Sequence, residues 1–394
     1  MRSLIKSKRM VTIFAFILIG FICCFSFWEV DGFDLRLRYN EIHLLHKGLD
    51  SYDVWTGDIE LPCYKSLREM KEGDYNGYVH AYTPWHNICT WWYGWFNFST
   101  VRLVMLLFYS IIVAFLGVKL RKRNSGIITM GIGSVVLFLS LIMPLKSCFN
   151  VMNYGILSAF ALFLLISSLE CKNEAMASIC VMVLMFKPQV GIPFCVALLA
   201  LRYFKVVFYA GGICVILTCI QALILNKSPL GLILRIPNLA ASSIATSTGV
   251  ADYVRQLLML VICAWGTMKI QRFDDWRIKF IPAIATVPLW TYCQIHDCVV
   301  AWPLFSILTD ICVGQRLRLT ERFCWGIPFC VIGVVYMVCL WFGFNGVLPI
   351  LHVSSMTFLI RAWKVLLMLV AAVVLIKIVA FKKYNSYFSM EFHI

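Results

Sequence analysis

Long apolar runs constrain the fold of this chain more than any other feature of its sequence. Four of them approach or exceed the about 20 residues with which a helix spans a bilayer: residues 11–28, 103–118, 127–145 and 323–344. The chain is 61% hydrophobic and only 14% charged. Because backbone groups in lipid must be hydrogen-bonded within the chain, the runs predict helices. We therefore expect an all-α polytopic membrane protein, one integral membrane domain over residues 1–394 with about 10–12 hydrophobic helices.

The positive charge of the chain follows these apolar runs. The sequence has 35 Lys and Arg against 20 Asp and Glu, a formal net charge of +15. The basic residues cluster beside the runs, at 2–9, 119–123, 269–279, 316–322 and 377–383. An excess of Lys and Arg in cytoplasmic loops produces this pattern. We expect no nucleic-acid partner, a multi-pass protein of the plasma (inner) membrane, and both termini in the cytoplasm.

The N-terminal stretch and the cysteines add expectations about processing and about disulfide bonds. The N-terminal apolar stretch has a basic flank but no small-residue cleavage site, which predicts an uncleaved first helix. Most of the 17 cysteines lie within apolar runs, where they act as small hydrophobic residues, and no CxxC motif is present. Cys63 and Cys89 share one loop, so they either pair or remain thiols.

Two pairs of short apolar segments are each interrupted by polar residues. Segments 175–186 and 190–201 are separated by Lys187-Pro188-Gln189, and proline cannot continue the preceding helix without losing a hydrogen bond. Segments 280–294 and 298–314 are separated by Gln294-Ile295-His296-Asp297. Counting crossings places both breaks outside the cytoplasm, on the same side as a large polar loop at 30–100 and a second loop at 226–255.

The large polar loop holds the first candidate site residue, Asp34. Residues 31–100 contain ten of the twenty acidic residues of the chain. After Asp34, apolar residues recur at helical spacing, which predicts an amphipathic helix lying in the membrane interface: Leu35, Tyr39, Ile42, Leu45 and Leu49. One interpretation makes Asp34 the N-cap of this helix. The other makes it a catalytic carboxylate, and the two roles are compatible.

Basic and polar residues at the two breaks and in the large loop each have a structural and a functional interpretation. Arg36 and Arg38 either contact lipid headgroups or bind a phosphate, which a guanidinium matches with two hydrogen bonds. Lys187 either reaches back to the interface or neutralises a lipid-linked phosphate. His296 and Asp297 form either a polar turn or part of a site, because ionisable residues at membrane depth are often functional.

The order of these short motifs resembles a known family. Asp34-Leu35-Arg36, followed by Gly48-x-Asp50-x-Tyr52-Asp53 and Tyr82-Thr83-Pro84, resembles the polyprenyl-phosphate-mannose-dependent mannosyltransferases of glycosyltransferase family 87, in the GT-C superfamily. Asn153-Tyr154-Gly155, Lys187-Pro188 and His296-Asp297 resemble later elements of that family. The chain departs from the family in its long insert at 57–77 and in the closer spacing of the late His-Asp motif.

The resemblance implies a fold and an activity. It implies a GT-C-like membrane fold and an enzyme that moves a hexose, mannose in that family, from a polyprenyl-phosphate donor to a glycan or glycolipid acceptor with inversion. The reaction would take place on the extracytoplasmic face, with the lipid bilayer as a further partner. A lipid-phosphate donor requires no nucleotide-binding motif, and we expect neither a cofactor nor a metal.

The resemblance also assigns roles to individual residues. Asp34 would be the general base, with His296 as a second catalytic residue or as a hydrogen-bond donor to the phosphate or the acceptor. Arg36, Lys187 and Arg235 would bind the donor phosphate. The residues expected to bind the substrates are Arg38, Tyr52, Asp53, Tyr82, Gln189 and Asp297. A transporter or flippase of lipid-linked sugars is the alternative function, because it too would place basic residues in a cavity.

Overall fold

The computed structural model describes residues 32–61, 64–66, 78–79, 82–122, 141, 144–236, 250–289, 293–313 and 361–372. These residues are mostly helical. The predicted segments at 11–28 and 323–344, most of 127–145, and Cys63 lie outside the described residues. Cys89, the proposed partner of Cys63, carries a free and exposed thiol.

The helices of the polar loop come first among the described residues. They are α1 (Phe33–His46), α2 (Ser51–Thr56), α3 (Pro84–Cys89) and a 3-10 helix (Trp91–Trp95). Between α2 and α3 the strands β1 (Lys65–Ser66) and β2 (Tyr78–Val79) form a two-residue parallel pair. The described part of the loop therefore contains a small strand pair, which the all-α expectation did not include.

The rest of the described chain is a series of helices of very different lengths. The first group is α4 (Phe98–Lys122), α5 (144–151), α6 (Gly155–Glu170), α7 (Glu174–Leu184), α8 (Pro188–Ala200), α9 (Phe204–Leu225) and α10 (Pro229–Leu234). The second group is α11 (Val250–Ile270), α12 (Trp276–Lys279), α13 (Ile281–Thr286), 3-10 helices at Val287–Leu289 and Ile295–Ala301, α14 (Trp302–Val313) and α15 (361–372).

Two of the described helices are long and apolar enough to cross a membrane. They are Phe98–Leu116, within α4, and Phe204–Leu225, which is α9. Large apolar side chains of α9 face outward, with Phe208 77% and Leu223 81% exposed. Exposed apolar faces of this extent mark a surface that contacts another apolar phase or partner. These helices support an association with the membrane.

Helix α6 lies at the centre of the described core. It packs against α7, against α4 and against the 3-10 helix at Ile295–Ala301. The indole of Trp302 donates a 3.1 Å hydrogen bond to the carbonyl of Ala159 in α6. The start of α6 approaches the 3-10 helix so closely that a Cβ at Gly155 would lie 2.2 Å from the carbonyl oxygen of His296. Glycine at this position therefore allows His296 to lie beside the turn before α6.

The break at Lys187-Pro188 is confirmed. Helix α7 ends at Leu184, Lys187 precedes α8 in an extended conformation, and Pro188 occupies the first turn of α8. The second break differs from its prediction. Within 280–289, α13 gives way at Val287 to a 3-10 helix, where Pro288 lacks the backbone N–H that would continue α13.

Two expectations about the loops are corrected. In the second loop, α11 begins at Val250, before the predicted boundary at residue 255, because polar residues in its first turns extend the helix beyond the apolar run. In the first loop, α1 begins after Gly32, which has a left-handed φ of 63°, and Asp34 lies within the first turn. The N-cap interpretation of Asp34 is therefore wrong.

The amphipathic character of α1 is also corrected. Apolar residues Leu35 and Ile42 are buried as expected, but Arg38 and Glu41 on another face are buried too. The helix is enclosed on several sides by the rest of the loop and by α4. An interfacial helix would bury one apolar face only. Helix α1 is instead an internal element that carries buried polar groups.

The positions of two exposed cysteines predict the sidedness of the chain. Cys89 lies in the polar loop, and Cys171 follows α6 at the end opposite to Asn153. The 16 residues of α6 extend about 24 Å. In variants that retain a single cysteine, we expect a membrane-impermeant maleimide applied to intact cells to label Cys89 and a Gln294→Cys substitution, and to label Cys171 only after permeabilisation. Labelling of the first two from opposite sides would contradict this arrangement.

Candidate functional site

Five polar side chains from distant parts of the sequence meet at one point. The amide nitrogen of Asn153 donates a hydrogen bond to Oδ2 of Asp34, and Oδ1 of Asn153 accepts one from Nζ of Lys187. The same ammonium forms an ion pair with Oδ1 of Asp297. Nε2 of His296 lies 4.0 Å from Oδ2 of Asp34 and 3.8 Å from Oδ1 of Asp297. We call these five residues the Asp34 cluster.

Each member of the Asp34 cluster lies at or near the start of a helix. Asp34 is in the first turn of α1, and Lys187 immediately precedes α8. Asn153 lies in the turn between α5 and α6, where its Oδ1 also accepts a 3.0 Å hydrogen bond from the N–H of Gly155. Asp297 belongs to a capping box, since its Oδ2 accepts a 3.0 Å hydrogen bond from the N–H of Gln294. Backbone contacts therefore fix the side chains of Asn153 and Asp297, which in turn hold Asp34 and Lys187.

The two carboxylates of the Asp34 cluster have different surroundings. The side chain of Asp297 is 1% exposed and its charge is balanced by Lys187, which is also buried. The side chain of Asp34 is 25% exposed and that of His296 is 12% exposed. Asp34 is therefore the carboxylate that a ligand can reach, and Asn153 orients it. A reachable, oriented carboxylate beside an imidazole can accept a proton from a bound hydroxyl.

A second group of charged residues connects the two polar loops. Nζ of Lys227 lies 2.7 Å from Asp50 and 2.5 Å from Asp53, and Nη1 of Arg235 lies 2.6 Å from Asp50. The guanidinium of Arg235 also lies 4.7 Å from the ring centroid of Tyr52. Two carboxylates and two cations balance each other here. This arrangement holds α2 against the segment around α10.

A buried polar stripe continues from Asp34 along α1. Asp34, Arg38 and Glu41 follow the spacing i, i+4, i+7, which places them on one helix face. Nη1 of Arg38 donates a 2.6 Å hydrogen bond to Oε1 of Glu41. The guanidinium of Arg38 lies 4.2 Å from the ring centroid of Tyr82, and that ring lies 4.6 Å from the ring of His86. These side chains form a continuous layer beside the Asp34 cluster.

Burial changes the protonation of this layer. It raises the pKa of Glu41 to about 8, although the nearby charge of Arg38 opposes the rise. Burial and the charge of Arg38 lower the pKa of His86 to about 3, so its imidazole is neutral. Nδ1 of His86 lies 3.0 Å from Oδ1 of Asn87, an acceptor, so Nδ1 carries the proton and Nε2 is an acceptor.

The structure brings together four of the predicted site residues and separates others from them. Asp34, Lys187, His296 and Asp297 share one cluster, with Arg38 and Tyr82 in the adjoining layer. The remaining predictions are distributed as follows: Tyr52, Asp53 and Arg235 in the second charged group, Gln189 buried in the first turn of α8, and Arg36 with its guanidinium 3.6 Å from the ring centroid of Phe98.

The contacts of Lys187 and Arg235 bear on the roles predicted for these two residues. The ammonium is buried and paired with Asp297, so the interpretation that it reaches back to the interface is wrong. Arg235, predicted with Lys187 to bind the donor phosphate, is likewise paired with carboxylates. In the part of the chain that the structure describes, no three His, Cys, Asp or Glu side chains are grouped as a metal ion would require.

Sequence reasoning did not assign roles to several residues that the structure places here. Asn153 belongs only to the Asn153-Tyr154-Gly155 motif, and no motif marks Glu41 or His86. Asp34, Arg38 and Glu41 recur at helical spacing, which indicates a polar face on α1. The apolar residues of the same helix recur at helical spacing too, and they led to the prediction that only an apolar face is buried. No sequence pattern pairs Lys187 with Asp297, since 110 residues separate them.

The buried ion pair predicts strongly non-additive effects of mutation. Lys187→Met and Asp297→Asn each leave one buried group without its partner, so we expect each to lower the free energy of unfolding by about 3–5 kcal/mol. The double variant removes both charges and should lose much less than the sum. Thermal unfolding in detergent measures this, with exposed Glu60→Gln as the control. Additive losses would contradict the pairing.

Glu41 predicts a pH dependence of stability. Its pKa in the folded chain, about 8, exceeds its ordinary value of 4.5, so the folded state holds the proton more tightly than the unfolded state. The resulting stabilisation is complete below about pH 4.5 and is lost as the pH rises through about 8. We expect the unfolding temperature to fall over this range, and Glu41→Gln to flatten the dependence while Glu60→Gln preserves it. An unchanged slope in Glu41→Gln would contradict the assignment.

Comparisons with known proteins return no relative of this chain. No protein-family model, no curated protein and no solved structure matches it. The function is therefore inferred from the residues, their geometry and the motif resemblance given above.

Proposed function

We propose that the protein is a membrane glycosyltransferase that uses a polyprenyl-phosphate sugar as its donor. It moves a hexose, with mannose the first candidate, to a hydroxyl group of a glycan or glycolipid acceptor on the extracytoplasmic face. The observation that carries the proposal is the partly exposed carboxylate of Asp34, oriented by Asn153 and lying 4.0 Å from His296. This arrangement suits a base that accepts a proton from a bound hydroxyl.

The proposed reaction is a single displacement with inversion. The acceptor oxygen forms a bond to the anomeric carbon while its proton passes to the carboxylate of Asp34. The bond between the anomeric carbon and the phosphate oxygen breaks, and the electron pair leaves with the polyprenyl phosphate. His296 lies close enough to the carboxylate to hydrogen-bond either the leaving phosphate or the acceptor hydroxyl. Donors preorganised around the developing charge lower the barrier.

The contacts favour different roles for the three cations expected to bind the donor phosphate. Lys187 balances Asp297 and supports Asn153, so it positions the base. Arg235 holds the second charged group together. Arg36 is half-buried, with its guanidinium 3.6 Å from the ring centroid of Phe98 at the start of α4, and the motif resemblance is what supports it as a contact for the phosphate.

The proposed setting is a multi-pass protein of the plasma membrane with both termini in the cytoplasm. The apolar outer faces of α4 and α9 support contact with lipid. The basic clusters support the orientation. A donor whose lipid is embedded in the bilayer can then present its phosphate at the level of Asp34.

The general-base role predicts loss of transfer without loss of folding in Asp34→Asn. Asparagine keeps the size of the side chain but accepts a proton poorly, so we expect a fall in transfer of at least about 100-fold. Membranes supplied with radiolabelled polyprenyl-phosphate mannose, and the glycolipids of cells that lack the protein and express each variant, provide the two measurements. Asp58→Asn, an exposed position in the same loop, is the matched control and should keep full activity.

Other outcomes of this experiment identify a different function. If Asp34→Asn transfers sugar as well as the unaltered protein, the proposed base is wrong. If the purified protein in vesicles moves the lipid-linked sugar between leaflets and forms no glycosylated product, a transporter replaces the enzyme as the explanation.

A further inference from the structure

Two cysteines lie on either side of the His-Asp motif of the Asp34 cluster. Cys293 precedes the 3-10 helix at Ile295–Ala301, and Cys298 lies within that helix. Their sulfur atoms are 3.9 Å apart, and both residues are buried, with Cys293 4% and Cys298 1% exposed. A bond between the two sulfurs would therefore close a ring around His296 and Asp297.

Both thiols point toward the same backbone carbonyl. Sγ of Cys293 lies 3.4 Å and Sγ of Cys298 lies 3.7 Å from the carbonyl oxygen of Gln294. A thiol is a weak hydrogen-bond donor, so this carbonyl is a weak partner for either sulfur. The side chains are thus directed at each other without strong contacts that would hold them apart.

Other parts of the chain hold the backbone around this pair. Nζ of Lys364, in α15, donates a hydrogen bond to the carbonyl of Cys293. The indole of Trp302, directly after the 3-10 helix, donates a 3.1 Å hydrogen bond to the carbonyl of Ala159. The sulfurs of a disulfide are about 2.0 Å apart, so bonding requires the two thiols to approach by about 2 Å. Small rotations about the two Cα–Cβ bonds achieve this with the backbone in place.

The proposed orientation of the chain favours oxidation of this pair. Cys293 and Cys298 flank His296, which that orientation places outside the cytoplasm. Disulfides form and persist in extracytoplasmic compartments, whereas cytoplasmic thiols are kept reduced. The pair would therefore meet an oxidant before or as the protein folds.

We propose that Cys293 and Cys298 are joined by a disulfide bond in the protein in its membrane. This inference rests on the orientation given with the proposed function and is independent of sugar transfer. It adds a covalent link to the hydrogen bonds of the Asp34 cluster. It also assigns a modification site to a pair of cysteines that the sequence places inside an apolar region.

The reaction is a thiol–disulfide exchange with a disulfide oxidant of the extracytoplasmic compartment. The thiolate of one cysteine attacks a sulfur of the oxidant, which forms a mixed disulfide and releases one thiol. The second cysteine attacks the mixed disulfide and releases the second thiol. The two cysteines lose two protons and two electrons in total, and the oxidant gains them as its two thiols.

The burial of the two sulfurs determines when this exchange takes place. At 4% and 1% exposure, Cys293 and Cys298 are closed to an oxidant once the chain is folded. The exchange therefore precedes the packing of the 3-10 helix against α6. After packing, the same burial shields the bond from reductants, so the link is permanent in the folded protein.

The link would act locally on the turn that carries His296 and Asp297. In this turn, Asp297 donates a 3.2 Å hydrogen bond from its N–H to the carbonyl of Gln294, and its Oδ2 accepts a 3.0 Å hydrogen bond from the N–H of Gln294. Closing a short loop removes little entropy from the unfolded chain. The main effect is then to limit local opening of the turn, which positions His296 beside Asp34.

The oxidation state of the unaltered, full-length protein tests the proposal directly. Cells are quenched in acid, free thiols are blocked with N-ethylmaleimide in denaturant, and the protein is then reduced and labelled with isotopically heavy N-ethylmaleimide for peptide mass spectrometry. We expect the heavy label on Cys293 and Cys298, and the light label on Cys180, an equally buried cysteine of α7. Without reduction, the peptide that contains the pair should lack two hydrogens.

Two results of this measurement would overturn the proposal. The light label on both Cys293 and Cys298 would show that they remain thiols that share the carbonyl of Gln294. A disulfide from either cysteine to a different cysteine or to a small thiol would show that the observed proximity does not select the partner.

Hydrogen exchange tests the local effect of the link. In Cys298→Ala we expect the amides of Gln294 and Asp297 to exchange at least about ten-fold faster, because the turn opens more readily. Cys293→Ala and the double variant should match it, since any of the three removes the same single bond. The matched control Cys180→Ala should leave this segment unchanged. Effects of the two single variants that add in the double variant would assign them to separate packing and overturn the link.

Two further combinations of results separate this proposal from the proposed function and orientation. If an impermeant maleimide labels Cys89 on intact cells while Cys293 and Cys298 are thiols, the orientation stands and the disulfide is wrong. If Asp34→Asn keeps full transfer while Cys293 and Cys298 carry the heavy label, the disulfide stands and the assignment of the base is wrong.

Discussion

The buried ion pair between Lys187 and Asp297 is the interaction on which the described structure depends most. A lysine and an aspartate both removed from solvent are tolerated only if they pair and their remaining hydrogen bonds are made. Asn153 accepts one of these hydrogen bonds from Lys187, and its amide nitrogen donates another to Asp34. Through this chain of contacts, the starts of α1, α6 and α8 and the 3-10 helix at Ile295–Ala301 are held at one point.

This arrangement separates positioning from reactivity. Asp297 is balanced and enclosed, so it serves to place Lys187, while Asp34 keeps partial access to solvent and a neighbouring imidazole. The second charged group, formed by Asp50, Asp53, Lys227 and Arg235, balances itself in the same way and joins the two polar loops.

Sequence patterns predicted the local elements better than their environments. The helix after Asp34, the break at Lys187-Pro188 and, within the described part of the chain, two long apolar helices are present, because helical periodicity and proline act over short distances. The N-cap role of Asp34 and the single buried face of α1 were wrong. Both depended on how the rest of the loop folds around α1, which periodicity within one helix does not report.

The sequence by itself determined a mostly helical chain with long apolar helices. It also identified Asp34, Lys187, His296 and Asp297 as candidate site residues. Composition and spacing are enough for this, since charged residues beside apolar runs are costly wherever the chain places them. Only the tertiary structure decided that these four residues meet, that Asn153 connects them, and that Glu41 and His86 are buried beside Tyr82. Asn153 and Asp34 are 119 positions apart and Lys187 and Asp297 are 110 apart, and the geometry of such contacts arises from packing that no local pattern encodes.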